Sequence, residues 1–376
     1  MKKKVILGLS GGVDSSVAAI RLLEDGYEVV GCFMRNWDST TNNDVLGNKD
    51  INNEICPQEL DYQDAVLVAD ALGIPCLRVD FIEEYWNYVF KYFLSEYEKG
   101  RTPNPDIMCN KEIKFKAFLD FAVKQNADYI AMGHYAQVNH TENGSYLLRG
   151  KDNNKDQTYF LSQLSQEQIK ISLFPIGDMI KSEVRSSAIN KNLVTATKKD
   201  STGICFIGER NFKQFLKNYL PAKPGKMVRL NGDVISKHDG LMYYTIGQRK
   251  GLEIGGLNGY SNEPWFVVGK DLKNNNLLVE QGYHHEYLYS NNCIIENCNW
   301  INTIPKENKE YQAKFRYREQ DNIVTIKFLD DNKAHIFYEG VRAVTPGQAC
   351  VIYDNEECLG GGIIEEVYSN DEKRSY

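Results

Sequence analysis

No apolar run in the chain approaches membrane-spanning length, and Met1-Lys2-Lys3-Lys4 leads into a strand-like stretch with no cleavage-type segment after it. A soluble, cytoplasmic protein with no membrane partner is therefore expected. Paired cysteine motifs are missing too, for there is no Cys-x-x-Cys. The nine cysteines (32, 56, 76, 109, 205, 293, 298, 350 and 358) are odd in number and irregularly spaced, which argues for reduced thiols in a reducing compartment. Cys293 and Cys298 lie closest together but lack a matching second pair, so no zinc site is expected and no residue is assigned to a metal. Internal repeats and low-complexity segments are absent. What is present is a chain of 376 residues, 42% hydrophobic, with material for more than one core.

Positive charge is also scarce overall. The net charge is −7, which at first speaks against a nucleic-acid partner, because affinity for a phosphate backbone comes from lysine and arginine. Its distribution reverses that reading. Residues 191–250 hold twelve Lys/Arg against four Asp/Glu, a local balance of +8 that leaves −15 on the rest. A segregated basic segment on an acidic chain is the footprint of an RNA binder, the alternative being a solvated basic face.

Up to about residue 205, apolar stretches alternate between strand and helix patterns, which predicts a parallel sheet covered on both faces. Strands are expected at 5–9, 27–34, 76–79 and 129–132, and helices at 14–24, 58–72, 83–99 and 111–125. Between 36 and 56 lies a long Asn-rich loop of the kind that is functional or mobile. From about 225 onward short alternating stretches predict strands at 226–230, 242–246, 265–269, 277–281, 311–317, 323–329, 334–338 and 349–353. A break near 283–292 divides them. The expected architecture is an α/β domain over 1–210, a small β-rich domain over 211–284 and a C-terminal β-barrel over 285–376.

The octet Leu9-Ser10-Gly11-Gly12-Val13-Asp14-Ser15-Ser16 follows the apolar Val5-Ile6-Leu7 and precedes a helix. Glycines there let backbone approach a ligand, and the free N–H groups of the first helical turn point at negative charge. The plainer alternative is a tight turn capped by Asp14. No Gly-Lys-Ser/Thr ending is present, which excludes the mononucleotide P-loop.

Two cysteines stand apart from the apolar settings of Cys32, Cys76 and Cys350. Cys109 follows Thr102-Pro103-Asn104-Pro105-Asp106 and precedes a helix, capped by Asn110, that carries Lys111, Lys114 and Lys116. A thiol at a helix N-terminus beside lysines is expected to have a lowered pKa, with Asp106 nearby as acid or base. Cys205 lies in Asp200-Ser201-Thr202-Gly203-Ile204-Cys205-Phe206-Ile207-Gly208, read as a mobile loop with an exposed thiol.

The octet resembles the pyrophosphate loop of the ATP pyrophosphatase (PP-loop) superfamily. Five further segments follow collinearly: 102–115, Gly133-His134-Tyr135-Ala136, Lys155-Asp156-Gln157-Thr158-Tyr159-Phe160-Leu161, 200–208 and Tyr244-Thr245-Ile246-Gly247-Gln248-Arg249. Together they resemble the bacterial tRNA-specific 2-thiouridylases from residue 5 to about residue 362.

That resemblance implies sulfur replacing the 2-oxygen of the wobble uridine in tRNAs for Lys, Glu and Gln, after ATP converts the oxygen to an adenylate. Gly8, Leu9, Ser10, Gly11, Gly12, Val13, Asp14 and Ser15 would cradle the ATP phosphates with Mg²⁺, and the backbone at Met34 and Gly133 would touch the nucleotide. Cys205 would carry a persulfide loaded by a cysteine desulfurase or a sulfur-relay protein. Cys109 would release that sulfur, leaving a Cys109–Cys205 disulfide for a reductant. Asp106 would act as acid or base, with Asn104 and Pro105 beside it lining the pocket of the flipped base. RNA contacts are implied at His134, Lys155, Asp156, Gln157, Arg316, Tyr317 and Gln348. For His134, a structural histidine at a strand end is the alternative. The order of attack stays open, as does an iron–sulfur cluster on Asp106, Cys109 and Cys205. The rival readings are another PP-loop adenylating ligase or amidotransferase, and a non-catalytic persulfide carrier that binds RNA.

Overall fold

Val5 and Leu7 point to one side of the first strand and Ile6 to the other, and all three are fully buried. A strand buried on both faces needs cover on both. In the computed structural model, which describes every residue except Met1, Glu54, Ser201, Thr202, Ile204, Phe206, Glu209, Leu257 and Asn258, this strand is the middle of a parallel sheet. The sheet contains β1 (Lys4–Gly8), β2 (Glu28–Arg35), β3 (Cys76–Asp80), β4 (Tyr129–Ala131) and the short β7 (Ser172–Leu173), ordered β3-β2-β1-β4-β7. On one face Val5, Leu7 and Val29 pack against helices Val13–Glu24, Pro57–Leu72 and Lys181–Asn190. On the other, Ile6, Cys32, Met34 and Ile130 pack against the helical runs 82–98 and 105–124.

The run 105–124 begins earlier than expected. Asn104, not Asn110, is its N-cap, accepting from the Asp106 amide at 3.2 Å, and Pro105 takes the first helical position, where its missing N–H costs nothing. Asn110 instead donates to the Phe160 carbonyl at 3.2 Å. Cys109 thus lies inside the helical run, where the turn widens into a π-helix over Cys109–Ala117. The loop over 36–56 forms no strand or helix among the described residues, yet it is pinned. Trp37 is buried and donates to Asp44 at 3.1 Å, and Asp44 also accepts from Arg210 at 2.9 Å.

A hairpin that alternation did not reveal, β5 (Ala136–Thr141) and β6 (Gly144–Arg149), leaves the parallel sheet and pairs with the C-terminal strands through Leu148 and Glu357. The central module has β8 (Gly225–Val228), β9 (Val234–His238), β10 (Trp265–Asp271) and β11 (Asn276–Gln281), ordered β10-β11-β8-β9. The strand expected at 242–246 is instead a 3-10 turn, Leu241–Tyr243, entered through Gly240 at φ +157°.

The C-terminal strands are β12 (Tyr289–Trp300), β13 (Tyr311–Lys314), β14 (Asn322–Asp330), β15 (Lys333–Arg342), β16 (Ala349–Asp354) and β17 (Glu357–Ser369). Their order, β12-β15-β14-β13-β16-β17, closes through β12–β17 pairing into a six-stranded antiparallel barrel. Closure leaves no free edge among these six. β12 starts at Tyr289, within the break expected at 283–292. β17 passes so close to its neighbours that a Cβ on Gly360 or Gly361 would lie 2.0 Å from the carbonyl oxygens of Asn299 and Cys350 respectively. Among the described residues no helix is long and apolar enough to cross a membrane.

Candidate active site

The phosphate-type turn sits at the carboxyl end of β1, where open parallel sheets bind ligands. Gly12 is the N-cap of helix Val13–Glu24 and makes no side-chain cap, so the first-turn amides at Val13 and Asp14 face outward without a capping side chain. Asp14 therefore does not cap the turn. Ser15 Oγ accepts from Ser10 N at 3.1 Å, and Leu9 N donates to Cys32 O at 2.9 Å, so the turn is locked to β2. Met34 and Met132 crowd Gly8, where a Cβ would meet the Met132 sulfur at 2.6 Å. A Cβ on Gly133 would come within 2.8 Å of Ser15 N. This cradle of backbone is narrow, and a side chain at residue 133 would crowd the first-turn amides that could receive an anion.

Four cations border the cradle, each held by carboxylates. Lys181 Nζ lies 2.7 and 2.8 Å from the two Asp14 oxygens, and Tyr135 OH donates to Asp14 at 2.8 Å. Lys198 Nζ donates to Gly11 O at 2.9 Å and to Asp61 and Asp64 at 2.7 and 2.5 Å. Asp200 collects Lys155, Lys181 and Arg185 at 2.7, 2.8 and 2.9 Å. Burial pulls the Asp200 pKa up, but Lys155 and Lys181 outweigh it and hold the carboxyl down at about 2. Mg²⁺ is typically bound through one or two carboxylates together with substrate phosphates, and Asp14 is the loop carboxylate that could serve. Among the described residues no group of three or more His, Cys, Asp or Glu is placed to hold a metal ion.

On the opposite face of the sheet the two singled-out cysteines meet, with Cys109 Sγ 3.6 Å from Cys205 Sγ. All nine cysteines are free thiols, and Cys205 is partly buried rather than exposed. The segment bearing it is fastened on two sides: Cys205 N donates to Asp106 at 3.2 Å, and Tyr85 OH donates to Cys205 O at 2.9 Å. Ser201, Thr202, Ile204 and Phe206 of that motif lie outside the described residues.

The Cys109 thiol departs from the expected lowering. Burial pushes the Cys109 thiol well above its ordinary value, reinforced by its hydrogen bond to Cys205. Cys205 is lowered, first by accepting that hydrogen bond and then by the Lys114 ammonium. Cys109 is inside a helix rather than before one, so no free helix N-terminus acts on it. Burial raises Asp106, against the pull of Lys114 and the Cys205 amide.

His134 links the two halves of the site. It follows Gly133, is buried, and its Nε2 lies 3.5 Å from Lys114 Nζ, while Nδ1 has no hydrogen-bond partner among the described residues. Burial and Lys114 drive its pKa well down, so the ring is neutral.

The other residues expected at RNA are dispersed. Lys155 is paired with Asp200. Asp156 is buried and accepts from Gly150 N and Thr158 Oγ1, and Gln157 accepts from Tyr135 N at 3.0 Å. Arg316, expected as an open phosphate donor, turns inward to Ala343 O, to Ile246 O at 3.4 Å and to Thr345 Oγ1 at 3.1 Å. Tyr317 packs on Phe160 with ring centroids 4.3 Å apart, and Gln348 donates to Thr102 O at 2.7 Å. In the basic segment Lys198, Arg210, Lys213 and Arg229 are consumed by Asp61 and Asp64, Asp44, Asp239 and Glu280. Lys199, Lys223, Lys226, Lys237, Arg249 and Lys250 are exposed and form no ion pair among the described residues. The sequence reading passed over Tyr85, Lys181 and Asp61; none carries a local signal, because each acts on a segment far away along the chain.

Family models cover nearly the whole chain: a tRNA methyl transferase HUP domain matches residues 3–209, a tRNA methyl transferase PRC-barrel domain 213–281, and an aminomethyltransferase beta-barrel domain 290–364. The tRNA-specific 2-thiouridylase MnmA of Acholeplasma laidlawii (strain PG-8A) is 59% identical over 377 residues, spanning all of both chains. The protein of that name from Bacillus cytotoxicus is 56% identical over 99% of this chain and 97% of its own. Among solved structures, a 4-thiouridine synthetase–RNA complex with bound ATP is far more distant, at 16% identity and TM-score 0.35 over 57% of this chain and 50% of its own. With its relatives matched end to end, this chain belongs to the tRNA-specific 2-thiouridylase family of enzymes.

Proposed function

We propose that the protein replaces the 2-oxygen of the wobble uridine in tRNAs for Lys, Glu and Gln with sulfur, using ATP to activate the oxygen and a persulfide to supply the sulfur. The single observation that carries this reading is the 3.6 Å approach of Cys109 and Cys205 beside Asp106, on residues 96 apart in sequence. A pair of adjacent thiols suits sulfur delivery, because the outer sulfur of a persulfide stays bonded to the enzyme until a second thiol displaces it.

The carbonyl oxygen of uracil is a poor leaving group and needs activation. The amides of 13–15 and the lysines at 181 and 198 hold the ATP phosphates, and Mg²⁺ when bound neutralises their charge. Asn104, Pro105 and Asp106 line the pocket for the flipped base, and Asp106, with its raised pKa, moves a proton at the pyrimidine. Cys205 accepts sulfur from a cysteine desulfurase or relay protein. Cys109 then passes its proton to the outer sulfur of the Cys205 persulfide and attacks the inner sulfur, the bond between inner and outer sulfur breaks, and hydrosulfide leaves to displace AMP from the activated carbon. The resulting Cys109–Cys205 disulfide takes two electrons from an external thiol reductant. The catalytic part is assigned to 1–210, and tRNA contacts to 211–284 and 285–376.

The test is purified protein with ATP, Mg²⁺, a persulfide donor and unmodified tRNA-Lys, scored for thio-nucleoside by mercury-affinity electrophoresis. Cys205→Ser is expected to lose both bound persulfide and product. Cys109→Ser is expected to accept sulfur but not turn over, and wild-type turnover by that variant would overturn its role.

A further inference from the structure

We propose that Lys114 is a catalytic residue of the sulfur-transfer site, its ammonium being the fixed counter-charge that makes Cys205, and not Cys109, the sulfur-accepting thiolate. This rests on the reading of Cys205 as sulfur acceptor given above.

The placement comes from an irregularity of the backbone. On an α-helix, residues five apart point about 140° away from each other. The Cys109–Ala117 segment is instead π-helical, with the Phe118 amide bonding back five residues to Ile113 O. That wider turn swings Lys114 toward the side of Cys109, and its ammonium hydrogen-bonds the Cys205 sulfur and lies close to Cys109 and Asp106. The charged and titratable groups facing it are Asp106 and Cys109 on its own helical run, Cys205 on the facing segment, His134 from the loop after β4, and Tyr85 behind Cys205.

These neighbours sort themselves by charge. His134 is neutral, so it offers Lys114 a lone pair and no competing cation. Burial works against the ammonium, yet Cys205, Cys109 and Asp106 together keep its pKa raised. Cys109 keeps its proton and donates it toward Cys205. The thiolate of Cys205 then attacks the outer sulfur of a protein persulfide. A new S–S bond forms as the donor's breaks, the donor departs as thiolate, and the proton on the transferred sulfur travels with it.

The experiment needs neither ATP nor tRNA. Full-length protein is treated with iodoacetamide from pH 5 to 10, and alkylation of the Cys205 and Cys109 peptides is quantified separately by mass spectrometry. In the wild type Cys205 is expected to titrate below an ordinary thiol and Cys109 above it. Lys114→Met should move the Cys205 midpoint up by about one unit, so that labelling at pH 7 slows about tenfold. Lys114→Arg, which keeps the charge, should restore most of that rate, an outcome that a merely structural role would not produce. An unmoved Cys205 midpoint in Lys114→Met overturns the proposal. So does a wild type in which Cys109 titrates below Cys205, a result that stands even if Lys114→Met fails to fold. Thiouridine formation with a normally titrating Cys205 would remove Lys114 alone and leave the proposed reaction intact.

Discussion

Lys181 holds Asp14 of the phosphate turn and Asp200 of the Cys205 segment with one ammonium, at 2.7 and 2.8 Å. A polyphosphate that engages Lys181 must loosen both carboxylates, and Asp200 lies five residues before Cys205. In the proposed reaction, nucleotide binding and the freedom of the Cys205 segment therefore share a residue. Asp200→Asn should speed hydrogen exchange across 198–208 severalfold at pH 7, since partly exposed ion pairs contribute about 0.2–1 kcal/mol each. Pyrophosphate should speed exchange in the wild type and add little in the variant. Because the Asp200 pKa is depressed in the folded chain, this fastening is complete above about pH 4, the unfolded value, and is lost as the pH falls through about 2. Exchange rates identical in the two proteins would refute the link.

Two thiols in contact should oxidise to each other before any other pairing. Limited diamide is expected to yield a Cys109–Cys205 cross-link, readable as a joined peptide, ahead of any pairing of the exposed Cys56. Cross-links dominated by Cys56 would contradict the geometry.

Gly133→Ala inserts a methyl 2.8 Å from Ser15 N and 2.9 Å from the Asp14 carbonyl carbon. Relief requires the turn to move, at a cost of about 1–3 kcal/mol. ATP should then raise the melting temperature less than in the wild type, with apparent affinity down at least tenfold. An undiminished ATP shift would show that the cradle is not the phosphate site.

The unpaired cations of the basic segment should set the salt dependence of tRNA binding. Replacing Arg249 and Lys250 by Gln is expected to make the log–log salt slope shallower by roughly 1–2, at roughly 0.7–0.9 per lost phosphate contact. Lys213→Gln serves as the control, because its charge is already spent on Asp239. Equal slopes in all three proteins would place the RNA elsewhere.

Local chemistry made the strand, phosphate turn and helix over 4–24 legible, because alternation, glycines and helical periodicity all act within a few residues. That Cys109 and Cys205 differ in setting from the other cysteines was legible for the same reason, each lying in a Pro- or Gly-punctuated polar segment unlike a core strand. Their ionisation was not. It depends on which sulfur Lys114 reaches, and an α-helical spacing turns that lysine away, whereas the π-helical one does not. The attachment of the β5–β6 hairpin to β17 was not legible, because that strand lies some two hundred residues downstream. The inward turn of Arg316 was hidden likewise, its acceptors being supplied by Ile246, Ala343 and Thr345.

The stretch that leads into Asn104 and Asp106 is tethered to the barrel and to the central module at once. Arg101 pairs with Glu365, Thr102 meets Thr245 at 3.2 Å, and Gln348 and Pro346 clasp the Thr102 backbone at 2.7 and 3.0 Å. Asn104 and Asp106 begin only two and four positions further on. If the proposed reaction holds, a tRNA body pressing on the barrel or the central module would pull on the segment that carries Asn104 and Asp106, so that the distant folds would act as levers on the reacting groups as well as handles for the substrate.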